Sequence, residues 1–386
     1  MARKSAKQIA EELTFTDGDL SPPYTPEDLL KTGSTLMDLN ISGDRRGGFM
    51  KGRYFWMAGH SGSGKTFLTL TALAEASINP QFDEYDFIYD NVEDGALMDM
   101  ERYFGRRMAR RLQPPRWAGS GADRSPVYSA TIEDFYFNLD DHFERREAGG
   151  RPWIYILDSM DALDSKYSEA KFQEAKGEAR GGAKAKGDYG DGKAKQNSQR
   201  IRRVTHRLRN TGCILIILSQ ARDNIDGGPF EEDDVYAGGR ALRFYATVQI
   251  VSRVGAKIKK TVRGKDVVVG AFCNIVLKKN RVTGVAERLV KVPIYYDVGI
   301  DDVGSMVDYL CEWKFWKSDG GIVDATEDFN GIKKRREDLI KWIEENDLRD
   351  DLEEIVADAF AAVQKQLEIK RENKYAEKAH PHPRRN

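Results

Sequence analysis

RYFWMAGHSGSGKTFLTLTALAEA, residues 53–76, decides the fold. A short run apolar on both faces is followed at once by a glycine-rich octapeptide, GHSGSGKT (59–66), and then by a stretch with helical character. That order gives the pattern G-x-x-x-x-G-K-[ST] its physical meaning. The glycines let main-chain N–H groups turn inward around phosphate, at the positive end of the next helix. Gly59, His60, Ser61, Gly62, Ser63, Gly64, Lys65 and Thr66 are therefore expected to cradle a nucleoside triphosphate. Lys65 would reach the β and γ phosphates, and the Thr66 hydroxyl would help hold Mg²⁺. ATP and Mg²⁺ are the expected cofactors.

Further apolar runs alternate with helical stretches: YDFIYD (85–90), WIYILDS (153–159) and CILIILSQ (213–220). Strands apolar on both faces and separated by helices predict an α/β fold with a mostly parallel sheet covered on both sides. Three later runs, at 246–253, 267–277 and 289–296, have no helices between them and are expected to add antiparallel strands. Asp158 closes the third run, where it can hold the Mg²⁺ shell through water. The second run leads into DNVEDGAL, which presents Asp90, Glu93 and Asp94 near the same sheet edge. Glu93 is the candidate to activate water, with Asp90 or Asp94 as the alternative, although a solvated loop acid would look the same in sequence. Gln220, at the end of another strand, can sense the γ phosphate.

The N-terminal residues 1–31 read as a separate segment: a short helix over 5–13, a proline-rich linker, and a helix start at Thr25-Pro26-Glu27-Asp28. The ATPase core is expected over 32–300 and a small α-rich domain over 301–370, with a hairpin turning at Asp319-Gly320. A disordered tail is expected over 371–386. Residues 166–195, rich in Gly, Ala and Lys, carry eight Lys/Arg against five acids and are expected to form a mobile loop.

The chain has 386 residues, 40% hydrophobic and 32% charged, enough for a large core under a charged surface. No apolar run approaches the roughly 20 residues of a membrane span, and the N-terminus lacks a signal-peptide core, so no membrane partner is expected. Three cysteines are too few and scattered for a disulfide framework or a zinc site. A soluble cytoplasmic protein is expected. The 61 Lys/Arg nearly balance the 62 acids, but this average hides clustering. Residues 195–209 hold six Lys/Arg and no acid, suited to tracking a sugar–phosphate backbone; a solvated helix face is the plain alternative. Residues 222–240 hold two bases against six acids.

The order of these elements resembles the RecA recombinase family. TGSTLMDLNISG…GGFMKGRYFWMAGHSGSGKTFLTL resembles the opening of its core, WIYILDSMDAL its metal strand, GCILIILSQAR its switch strand and AGGRALRFYATVQIVSR the close of its second DNA loop. KKNRV resembles its inter-subunit nucleotide contact, and DDVGSMVDYL through DLIKWIEENDLRDDLEEIV its small C-terminal domain. The resemblance spans roughly 32–360. It implies a RecA-type P-loop NTPase core with a short N-terminal helical segment and a small C-terminal domain. The implied protein is an ATP-dependent recombinase, of the divergent type found in phages. It would form a helical filament on single-stranded DNA and pair it with homologous duplex DNA, helped by a single-strand-binding protein or loading mediator.

By the same resemblance Glu93 is the catalytic glutamate, Gln220 the γ-phosphate switch, and Lys279 and Arg281 the pair that reaches a neighbour's ATP. Asp99 and Tyr103 are the candidates for adenine contact. The DNA loops fall at about 164–199 and 221–239. Lys195, Ser198 and Arg202 match the family's contacts at the end of the first; Arg200 and Arg203 join them on charge, and Arg222, Gly238 and Gly239 frame the second. The acidic run Glu231-Glu232-Asp233-Asp234 departs from what DNA contact would ask. A hexameric helicase-type motor or a non-catalytic filament regulator would share the phosphate loop and metal strand.

Overall fold

The computed structural model describes residues 24–166, 191–223, 234–236, 238–369 and 371. The expected helix at 5–13, most of the 166–195 stretch, the acidic residues 231–233 and the expected tail beyond 371 lie outside the described residues.

The sheet-forming runs fold into β1 (Tyr54–Gly59), β2 (Asp86–Asn91), β3 (Leu112–Gln113), β4 (Trp153–Asp158), β5 (Ile214–Asp223), β6 (Asp234–Tyr236), β7 (Val248–Val262), β8 (Lys265–Asn280), β9 (Leu289–Tyr295) and β10 (Gly299–Ile300). Their order across the sheet is β10-β9-β8-β7-β1-β5-β4-β2-β3, with β6 antiparallel on β5. The inner strands β7, β1, β5, β4 and β2 are parallel to one another, while β8, β9 and β10 come next as antiparallel neighbours. Gly59, Asn91, Asp158 and Gln220 consequently leave the sheet on the same edge, where an open α/β sheet binds its ligands.

The helices are α1 (Thr35–Ser42), α2 (Lys65–Ile78), α3 (Met100–Arg111), α4 (Ile132–Glu147), α5 (Asp191–Thr211), α6 (Arg240–Tyr245), α7 (Asp302–Glu312), α8 (Arg336–Glu345) and α9 (Arg349–Leu367). Alternation along β1 feeds two cores. Phe55 and Met57 face one that includes Leu68, Leu73, Phe104, Val303 and Leu352; Tyr54, Trp56 and Ala58 face another with Phe135, Ile201, Leu208 and Leu242. Burying both faces is what the unbroken apolar runs required.

Four local expectations are corrected. The helix start at Thr25–Asp28 yields one 3₁₀ turn, Pro26–Asp28, with its capping box intact. Leu29 and Leu30 then turn extended and pair with Met50 and Phe49, since burying both leucines in a ladder outweighs continuing a helix. Residues 191–195, expected in a loop, begin α5. The connection after residue 253 is strand as well: β7 and β8 pair out to Val262↔Lys265. The C-terminal hairpin turns at Gly320-Gly321 and gains a third strand, Lys333–Arg335, whose three basic residues carry no apolar alternation.

Residues 24–31 and the C-terminal helices share the first core. Lys31 bonds Glu353 of α9 at 2.7 Å, and the main-chain N–H of Thr35 donates to buried Asp302 of α7 at 2.7 Å. Burial raises the Asp302 carboxyl to about 6, against the pull of Arg349.

Candidate phosphate-binding site and DNA-loop roots

The phosphate loop is held by close packing. A Cβ on Gly59 would lie 2.1 Å from the Ser252 carbonyl oxygen, and one on Gly64, at φ +84, would lie 2.5 Å from Cys273 Sγ. At Gly62 (φ +73) an added Cβ would meet nothing within 4 Å, so this glycine serves backbone conformation alone. Ser63 is fully buried and its carbonyl accepts from the Ser252 hydroxyl; His60 and Ser61 lie at the open side of the loop.

Lys65, on the first turn of α2, donates to the carbonyls of Gly59 (2.7 Å) and His60 (3.0 Å). Burial holds its ammonium below the usual lysine range, while Asp158, Glu93 and Asp161 pull it back up. Thr66 Oγ1 donates to Asp158 Oδ2 at 2.6 Å, and Tyr89 donates to the same oxygen at 2.8 Å. Burial raises the Asp158 carboxyl, opposed by these two bonds. A hydroxyl and a carboxylate meeting at the mouth of a phosphate loop form a hard-oxygen donor set. Mg²⁺ fits such a set, because it takes one or two protein oxygens and completes its shell with phosphate and water. Among the described residues no cluster of three or more His, Cys, Asp or Glu forms an all-protein metal cage.

The three acids at the end of β2 and just beyond it lie in different surroundings. Asp90 is fully buried and its oxygens accept from the Ser129 main chain (2.9 Å), the Ser129 hydroxyl (2.6 Å) and Tyr155 (2.7 Å). Asp94 is exposed in the turn. Glu93 Oε1 accepts from the Ser159 hydroxyl and from Gln220 Nε2, the latter at 2.8 Å. Glu93 and Gln220 thus meet beside Lys65, Thr66 and Asp158.

The nucleotide candidates on α3 are less alike. Asp99 caps the helix by accepting from the Arg102 N–H at 3.0 Å. Tyr103 packs edge-on against Phe67 of α2 and donates to the Tyr296 carbonyl. Lys279 and Arg281 converge elsewhere, both donating to the Phe244 carbonyl at the end of α6, at 2.6 and 3.0 Å. Burial, with Arg281 adding to it, lowers the Lys279 ammonium to about 8.

On α5 the i, i+3, i+7 spacing sets Lys195, Ser198 and Arg202 on one exposed stripe, with exposed Arg203 on its flank. Arg200 instead lies over the rings of Tyr136 and Phe137. Arg207 is claimed by Glu147 and Asp140, so it adds little to the basic face. Arg222 is exposed on the part of β5 that runs on to pair with β6. Gly238 and Gly239 sit between α5 and α6: a Cβ on Gly238 would fall 2.5 Å from Leu242 Cδ1 of α6, and one on Gly239 2.8 Å from Ala194 Cβ of α5.

Four residues escaped the sequence reading. Tyr89 and Ser159 bond Asp158 and Glu93, and only their neighbours marked them. Asn197 is fully buried, donating to the Gly238 carbonyl and accepting from Tyr136, each at 2.8 Å. It joins α5 to the segment that leads into α6. Asp161, in the turn after β4, accepts from the Gln220 main-chain N–H at 2.7 Å.

Residues 156–301 match the model for the RecA N-terminal domain. The chain is 30% identical over 284 residues to Protein RecA of Pseudomonas putida, covering 72% of this chain and 67% of that protein. It is 26% identical over 356 residues to Protein RecA of Colwellia psychrerythraea (91% of this chain, 89% of that protein). Against Protein RecA of Clostridioides difficile it is 26% identical over 337 residues (85% and 82%). The extent of these matches leads to one conclusion: the chain belongs to the RecA family.

Proposed function

We propose that this protein is an ATP-dependent DNA recombinase that assembles as a helical filament on single-stranded DNA and catalyses homologous pairing and strand exchange. The observation that carries the reading is the bond from Gln220 to Glu93, because Gln220 opens the strand extension that leads into the second loop. A residue that touches both the hydrolytic glutamate and a DNA-loop root can report nucleotide state to DNA.

In this reading the phosphate loop binds ATP, with Lys65 turning from the Gly59 and His60 carbonyls toward the β and γ oxygens. Thr66 and Asp158 hold Mg²⁺, which supplies charge neutralisation on those oxygens when bound. Glu93 orients the attacking water and takes its proton, while Ser159 and Gln220 fix the carboxylate. Lys279 and Arg281, whose donors turn away from their own phosphate loop, serve the nucleotide of the adjacent subunit. The stripe Lys195, Ser198 and Arg202, with Arg222, tracks the DNA backbone.

ATP turnover with and without single-stranded DNA, read beside a D-loop assay, tests the proposal. Turnover that rises with DNA, together with D-loop formation, is the expected result. In electron micrographs with single-stranded DNA and a non-hydrolysable ATP analogue, open helical filaments are expected. Closed rings, with unwinding of a forked duplex and no D-loops, would overturn it.

A further inference from the structure

Asp161 lies between the start of α5 and the end of β5. Its Oδ2 accepts from the main-chain N–H of Gln220, a residue 59 positions away on β5. An aspartate that merely capped a turn would bond an N–H two or three residues along its own loop. Its other carboxylate oxygen is buried with no hydrogen-bond partner among the described residues. Bases from both roots surround it. Lys193 of α5, at the root of the first loop, donates to the Asp161 carbonyl at 3.4 Å, and the Arg222 guanidinium, at the root of the second, acts on the carboxylate through space. Glu93 opposes them from the hydrolytic side.

We propose that Asp161 is a positioning residue that couples DNA binding to ATP turnover. Its carboxylate fixes the backbone of Gln220 with one oxygen, and its charge competes with DNA phosphate for Lys193 and Arg222. Without DNA, Lys193 bonds the Asp161 carbonyl and Arg222 acts on the carboxylate from a distance. When a phosphate draws them outward, the charge on Asp161 is less compensated and bears on the Gln220 N–H alone. Gln220 carries the change to Glu93 through its side-chain bond. The proposal rests on the recombinase reading above and names the regulator of that same site.

Two variants of the full chain separate charge from hydrogen bonding. Asp161→Asn keeps an oxygen for the Gln220 N–H and removes the charge. The half-saturating concentration of a poly-dT oligonucleotide, read by fluorescence anisotropy, should fall about threefold, the weight of one unit charge a few ångströms from phosphate in near-aqueous surroundings. Stimulation of turnover at saturating DNA should weaken by about the same factor, since the charge that passes DNA binding to Gln220 is gone. Asp161→Ala removes the acceptor too, and the ratio of DNA-stimulated to unstimulated turnover should drop at least about tenfold. A thermal melt of each variant within a few degrees of wild type shows that folding is not what changed.

Wild-type oligonucleotide affinity in Asp161→Asn, or wild-type stimulation in Asp161→Ala, would overturn the coupling role and leave the recombinase reading standing. A wild-type protein that binds no oligonucleotide would overturn both.

Discussion

Glu93→Gln and Asp90→Ala should fail in opposite ways. Glu93 lies at an exposed position, with its carboxylate held by Ser159 and Gln220. Its amide keeps an oxygen for those donors but cannot take a proton from water. Turnover should therefore fall by about 10²–10⁴-fold, the usual worth of a general base, with stability unchanged within about 0.5 kcal/mol. Asp90 accepts three hydrogen bonds in a fully buried site. Removing it leaves the Ser129 N–H, the Ser129 hydroxyl and Tyr155 without that acceptor, at about 1–3 kcal/mol for each group left unmade. Burial already holds the Asp90 carboxyl above its ordinary range, so relief of its desolvation recovers part of the loss. The net cost should be about 3 kcal/mol, read from the urea midpoint at constant m. The folded fraction should still hydrolyse ATP within about threefold of wild type, since no bond joins Asp90 to the phosphate loop among the described residues. A stable Asp90→Ala protein with no turnover, or an active Glu93→Gln protein, would refute this division of labour.

Lys279 gives a pH signature. Its ammonium, lowered to about 8 by burial and Arg281, is charged below that pH and neutral above it. Filament turnover should decline as pH rises from about 7 to 9, and Lys279→Arg should move that limb beyond pH 10, as a turnover–pH profile would reveal. Gly238→Ala places a Cβ 2.5 Å from Leu242 Cδ1 at φ +85. A stability loss of about 2 kcal/mol is expected from strain and contact together. An oligonucleotide affinity at least about tenfold weaker should accompany it, measured by anisotropy on the folded protein.

Much of the candidate site was legible because its residues are set by local sequence. The phosphate loop needs contiguous residues, and Asp158 and Gln220 each close an apolar run, so both positions are set by where strands end. Asn197 was hidden for the opposite reason: a polar residue between Ala194 and Ile201 on the packed face of α5 looks like an interruption of the apolar pattern. Its value comes from Gly238, which the sequence sets 41 residues away. Asp161 was likewise just another loop acid until β5 brought Gln220 beside it. The outer part of the β7–β8 hairpin was illegible because Lys257, Lys259, Lys260 and Thr261 are exposed, and the ladder there is held by main-chain bonds that leave no trace in hydropathy. At Thr25 the capping signals specify a first turn only, and tertiary pairing decides the conformation of Leu29 and Leu30 beyond it.

β5 is clamped from both sides, by β1 over Leu215–Gln220 and by β4 over Ile214–Ile217. Sliding it by one residue would break two ladders and turn every side chain to the opposite core. The strand is a fixed rail and cannot act as a piston. Any message passing between nucleotide and DNA must then travel sideways at its end, through rotations of Gln220 and its neighbours, with the sheet serving as the stationary frame against which they move.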